Sequence, residues 1–204
     1  MENNKKFWSR YSKLYEKFVR GSKSADAVYS EMEKNICDSI NINMNVLELA
    51  AGPGVMSRKI ALSCKNLEVT DFSEEMILRA KEKDMPQNVT FSVADATDLK
   101  YSDEMFDAVI IANALHIMPY PDKALTEIKR VLKSGGILIA PTFTREKFFK
   151  SLVVEKLMEL IGFKNYSKWT SESYIEYIKS FGFKIVSQKI ITGHNFPITF
   201  LICK

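Results

Sequence analysis

Thiols and imidazoles are scarce in this chain, with three cysteines and two histidines in 204 residues. Cys37, Cys64 and Cys203 stand far apart, no C-x-x-C pair occurs, and His116 and His194 make no ligand cluster with them. Isolated thiols in odd number argue against a disulfide framework, and the missing clusters argue against zinc or any other bound metal. No apolar run approaches the length needed to cross a bilayer, and the opening M-E-N-N-K-K-F-W lacks the apolar centre of a signal peptide. The expected location is a reducing cytoplasm, with no membrane insertion. A strong charge of one sign is absent too. The net charge of +4 is a mild excess spread along the chain, with no basic, aromatic-interleaved strip, so no nucleic-acid partner is expected.

What is present is a globular composition, 46% apolar and 26% charged, in a chain the size of one domain. Its most informative stretch is V-L-E-L-A-A-G-P-G, Val46 to Gly54. Val46, Leu47 and Leu49 read as a strand buried on both faces, as in a parallel sheet. Gly52 and Gly54 allow a sharp turn and leave no Cβ in the way of a ligand. A helical pattern follows at once, so strand, turn and helix together make a nucleotide-type site at a strand's carboxyl end.

The rest alternates in the same way. Phe7 to Gly21 and Ala25 to Ile40 read as helices, the second with Val28, Met32, Ile36 and Ile40 on one face. Strands are expected at Val46–Leu49, Leu67–Thr70, Val89–Val93, Ala108–Ala112 and Ile137–Pro141. Helices are expected at about Val55–Ser63, after a Ser73 cap, and at Asp122–Leu132. Ser171–Ser180 reads as a helix, and Phe183–Ile191 and Ile198–Cys203 as strands too closely spaced for a crossover, hence a reversed, hairpin-like edge. The fold class is α/β: seven strands, mostly parallel with an antiparallel C-terminal strand, and helices on both faces.

Five segments in order resemble the class I S-adenosylmethionine-dependent methyltransferase family, of the small-molecule, quinone-biosynthesis type. They are E-L-A-A-G-P-G (Glu48–Gly54), V-T-D-F-S-E-E-M-I (Val69–Ile77), V-A-D-A-T-D-L (Val93–Leu99), F-D-A-V-I-I-A-N-A-L-H (Phe106–His116) and K-R-V-L-K-S-G-G-I-L (Lys129–Leu138). Ala50 departs from the family's first glycine. The resemblance implies a Rossmann-like, doubly wound sheet in a single domain. Residues 1–44 would form a helical cap, 45–141 the cofactor-binding core, 142–170 a substrate lid, and 171–204 the last helix and reversed strand pair. It also implies the cofactor S-adenosyl-L-methionine, with S-adenosyl-L-homocysteine as product.

Residue by residue, the resemblance puts Glu48 in the first motif and Asp71 on the ribose hydroxyls, a diol that a carboxylate can accept from twice. Asp95 would meet the adenine amino group, with Asp98 close enough to confuse the assignment, and Ala96 would give the ring a backbone amide. Phe72 and Met76 would cover the adenosine, although core packing explains them equally well. Gly52, Gly54, Ala50 and Asn113 would line the methionine end. Tyr15 best matches the family's N-terminal aromatic cap. Tyr11 is the alternative, and for Tyr11 an ordinary amphipathic helix is as good an account.

The cofactor already carries an activated methyl group, so alignment behind the methyl carbon can supply much of the rate. His116 is the general-base candidate, because it follows the fourth strand and its ordinary pKa near 6.5 suits proton transfer. A loop histidine packed under Ile117-Met118-Pro119 is the alternative. Asn113-Ala114-Leu115-His116 is not the N-P-P-Y type of base-methylating enzymes, and no magnesium-ligand spacing is evident. Residues such as Phe148 and Phe149 make 142–170 either an apolar lid over a small, partly apolar acceptor or a helix packed on its neighbour. The acceptor atom, oxygen, nitrogen, sulfur or carbon, stays open, as does monomer against homodimer. Two other functions compete: a cofactor-binding interaction or sensor module without turnover, and a nicotinamide-dependent oxidoreductase. Ser57 stands against the last, where G-x-G-x-x-G wants its third glycine.

Overall fold

In the computed structural model, the structure describes residues 12, 19–145, 164–193 and 197–204. Helix α1 (Lys23–Ser39) is started by Ser22, whose side chain accepts from the Ala25 amide. Then follow β1 (Asn45–Leu49), α2 (Ser57–Leu62), β2 (Asn66–Asp71), α3 (Glu74–Lys81), β3 (Val89–Val93) and β4 (Phe106–Ile111). A single 3-10 turn, Leu115–Ile117, leads to α4 (Pro121–Val131), β5 (Leu132–Ile139) and β6 (Thr142–Phe143). The chain ends with α5 (Ser171–Ser180), β7 (Ile185–Ile191) and β8 (Ile198–Cys203). Ser73 caps α3, accepting from the Met76 amide, and Glu74 and Glu75 occupy the first turn, where the helix dipole favours them. Among the described residues no helix is long and apolar enough to cross a membrane.

The sheet runs β3-β2-β1-β4-β5-β8, with β7 on the far edge of β8. Strands β1 to β5 are parallel, and β8 is antiparallel to β5, β6 and β7. Alternation along the central strands divides the core. Leu47, Leu49, Val109 and Ile111 pack with Leu125, Ile128, Tyr174 and Ile178 of α4 and α5. Val46, Ala108 and Ile110 pack with Met32, Ile36 and Ile60 of α1 and α2. Each face of the sheet is thus sealed by its own helices, which is why the strands read as unbroken apolar runs.

Two details differ from the sequence expectation. There are eight strands among the described residues, not seven, because Pro141 cannot donate to the ladder and splits one line into β5 and β6. Thr142 and Phe143 pair with Thr199 and Ile198, so the stretch 142–170 expected as a lid begins inside the sheet. The reversed strands do form the expected antiparallel, hairpin-like edge, with β8 inside against β5 and β7 outside it.

Strand β5 begins directly at the end of α4, with Leu132 opposite Phe106. The ladder then skips to Ile137 opposite Ala108. Gly136 lies in this irregularity. A Cβ there would meet the carbonyl oxygens of Lys133 at 2.9 Å and Asp107 at 3.1 Å. Gly136→Ala is therefore expected to cost about 1–3 kcal/mol, the usual range for overpacking, measured by urea unfolding. An unchanged midpoint would show that the loop has room to yield.

Candidate active site

The carboxyl ends of β1, β2 and β4 meet at one mouth. Beyond Leu49 the chain turns through Ala50 at φ 52°, Gly52 at φ 58° and Gly54 at φ 67°. Asn113, beyond β4, is also left-handed at φ 53°. Asparagine enters that region more readily than most side chains, but for Ala50 it is unfavourable, and such conformations cluster where function demands them.

Asp71 closes β2 and ties this loop down. Its Oδ2 accepts from the Gly52 amide at 2.8 Å and its Oδ1 from the Ser73 amide at 2.8 Å. Burial pushes its carboxyl pKa up, while these amides pull it back in part. The Phe72 amide also bears on the carboxylate, which still has acceptor capacity to spare. Gly54 also serves the packing of the loop. A Cβ there would meet Met85 Cε at 3.0 Å, Ala80 Cβ at 3.2 Å and Ser57 Oγ at 3.3 Å, so the missing Cβ admits close packing against α3 and Ser57.

Glu48 points to the α1–α2 face of β1, only 1% exposed. The Ser57 hydroxyl donates to its Oε2 at 2.5 Å. Burial pushes the Glu48 carboxyl up to about 7, against the pull of that hydrogen bond. Glu48 lines a shallow recess together with Tyr29, Ala50, Met56, Ala112 and Asn113. Asn113 Nδ2 donates to the Tyr29 hydroxyl at 3.3 Å, and its Oδ1 is sealed from solvent without a partner. A buried carbonyl oxygen with no donor is a vacancy for one.

On the adenine side, Asp95 turns into its own loop, its Oδ1 accepting from the Thr97 amide at 2.9 Å and hydroxyl at 2.7 Å. Asp98 is exposed and pairs with Lys100 at 2.6 Å. Ala96 is buried. The loop is held by α4, with the Leu99 amide on Glu127 and the Leu99 carbonyl on Arg130. Phe72 is half-buried, and Met76 is buried at 2% exposure on α3. Tyr11, Tyr15, His194, Phe148 and Phe149 lie outside the described residues. Ser12, which follows Tyr11, accepts a hydrogen bond at 3.0 Å from Nε of Arg79 in α3's last turn.

His116 sits in the 3-10 turn, 5% exposed, with Nδ1 3.0 Å from Thr142 Oγ1 and its ring edge-on to Phe143. Burial lowers its pKa to about 4, so the ring is neutral at neutral pH and a weak base. Among the described residues no group of three or more acidic, thiol or imidazole side chains could hold a metal ion.

Sequence reasoning missed Tyr29, Ser57 and Thr142. Tyr29 lies beside the Val28–Met32–Ile36 stripe, which reads as ordinary core. Ser57 stands in the sequence only as a missing glycine, and in the fold it is the donor that holds Glu48.

Residues 47–140 match the family described as Methyltransferase domain. The ubiquinone/menaquinone biosynthesis C-methyltransferase UbiE of Rickettsia bellii (strain RML369-C) is 31% identical over 182 residues, covering 75% of this chain and 73% of that protein. The chain belongs to the class I S-adenosylmethionine-dependent methyltransferases. Solved structures agree in fold. The methyltransferase in complex with the Haloferax volcanii Trm112 methyltransferase activator has a TM-score of 0.79 at 18% identity, covering 96% of each chain. The DhpI-SAM-HEP complex has a TM-score of 0.76 at 19% identity, covering 100% of this methyltransferase and 96% of that chain.

Proposed function

We propose that this methyltransferase binds S-adenosylmethionine across the mouth just described and methylates a small, partly apolar acceptor. The observation that carries the reading is Asp71, a carboxylate anchored at the end of β2 by the Gly52 and Ser73 amides, with acceptor capacity left for a ribose hydroxyl. At the other end, Asn113 Oδ1 and the Glu48 carboxyl offer acceptors to an ammonium group, and Asn113 Oδ1 has no donor of its own. When bound, the cofactor supplies a methyl group on a positively charged sulfur, open to in-line displacement. The protein's share is to hold, align and exclude water.

The names of the relatives, ubiquinone/menaquinone biosynthesis C-methyltransferases, make an electron-rich hydroxylated ring the first acceptor class to test. Titration calorimetry should show S-adenosylhomocysteine bound in clear preference to NADH. Mass spectrometry should then show a gain of one methyl group on a phenol or hydroquinone. Preferential binding of NADH would overturn the reading.

A further inference from the structure

The surroundings of His116 give it a polarity opposite to that of a general base. Thr142 is fully buried, and its hydroxyl meets no other side chain or carbonyl among the described residues than His116 Nδ1. A buried hydroxyl left without an acceptor costs about 1–3 kcal/mol. If Thr142 donates to Nδ1, both groups are satisfied and the ring's one hydrogen resides on Nε2. If Nδ1–H donates instead, the Thr142 proton is stranded. The first arrangement wins by that margin, and a neutral ring, its pKa depressed by burial, has no second proton to give.

The turn is held from the other side as well. The His116 carbonyl accepts from the amides of Tyr166 at 2.9 Å and Ser167 at 3.0 Å. Nε2 itself meets no partner among the described residues. Nor is it one of the partnerless side-chain atoms sealed from solvent, which among those residues are Asn35 Nδ2, Asn113 Oδ1 and Asn165 Oδ1. Two of these orphans belong to the segments that converge here. Asn113 is three positions before His116, and Asn165 precedes the amides docked on the His116 carbonyl.

We infer that His116 presents an Nε2–H donor, fixed in that tautomer by Thr142, to an oxygen of the methyl acceptor. The inference rests on the methyltransferase reading and narrows its acceptors to phenols, enols and their kin, with an oxygen on or beside the nucleophilic atom. In the transfer, the acceptor's nucleophilic atom gains the methyl carbon and the carbon–sulfur electron pair stays on sulfur. The acceptor's displaced proton leaves to water, and His116 keeps its own.

Two measurements test this. Long-range proton–nitrogen NMR of the histidine-labelled protein, assigned by loss of the signal in His116→Gln, should show Nε2–H in the wild type and a shift toward Nδ1–H in Thr142→Val. An Nδ1–H wild type would overturn the inference even if methyl transfer is established, and the spectrum needs no turnover to decide. With a hydroquinone acceptor, His116→Gln, whose amide can donate from near the Nε2 position, should keep kcat/KM within about tenfold. His116→Phe should lose about a hundredfold, the usual penalty for one positioned donor, with S-adenosylhomocysteine affinity retained. Glutamine as inactive as phenylalanine would point to a general base instead. Failure of the wild type to bind S-adenosylhomocysteine would sink the functional reading and leave the tautomer result standing.

Discussion

Asp71→Ala is expected to weaken S-adenosylhomocysteine binding by about 10- to 100-fold in calorimetry. Hydrogen bonds to a charged group contribute roughly 1.5–3 kcal/mol, and each 1.4 kcal/mol is tenfold in affinity. Alanine also strips the acceptors from the Gly52 and Ser73 amides, so the glycine loop and the start of α3 lose their shared anchor. A fall in melting temperature should accompany the loss of binding. Asp71→Asn keeps one carbonyl oxygen and turns an amide toward the other partner, so its affinity should lie between the two. Undiminished binding by Asp71→Ala would remove the basis of the proposed function.

Glu48→Gln is expected to strengthen the fold at alkaline pH while weakening the cofactor. The carboxyl titrates near 4.5 when exposed and at about 7 in the fold. Its folded pKa is raised, so its contribution is fully present below pH 4.5 and is lost as pH climbs through 7. At 1.36 kcal/mol per pKa unit, the swing is on the order of 3 kcal/mol. Glutamine does not titrate and can still accept from Ser57. Relative to wild type, the variant should thus gain about 2–3 kcal/mol between pH 4 and pH 8, read from denaturant midpoints. Its affinity for S-adenosylhomocysteine should fall about tenfold at pH 8, where the recess loses a negative charge. A difference in stability that is flat with pH would show that Glu48 titrates as an ordinary carboxylate.

The parts of this molecule legible in its sequence are those written locally. Leu47, Val109 and Ile110 advertise buried parallel strands because both sheet faces are covered, and Ser73 with Glu74 and Glu75 announces a helix start. The order of the motifs placed Asp71 at a strand end by itself. What was not legible depends on residues far apart. The pairing of Thr142 with Thr199 turns an expected lid boundary into sheet, and no local pattern signals it. The motif marks Gly54 as a ligand glycine, and only the fold shows that Ala80, Met85 and Ser57 also crowd the place of its Cβ. Tyr29 reaches the mouth because α1 packs on the sheet face that carries Val46, Ala108 and Ile110, and the bond that sets the His116 ring comes from Thr142, 26 positions onward.

The placement of β8 bears on how such a protein is made. This strand, which joins β5 to β7, comes after both in chain order. While a ribosome extends the polypeptide, the outer rim of β5 stays unpaired through the synthesis of α5 and β7, an apolar edge open to misassociation. Closure must wait for Ile198–Cys203 to emerge and slide between its neighbours, so truncations that clip this strand should yield aggregates rather than a smaller native domain.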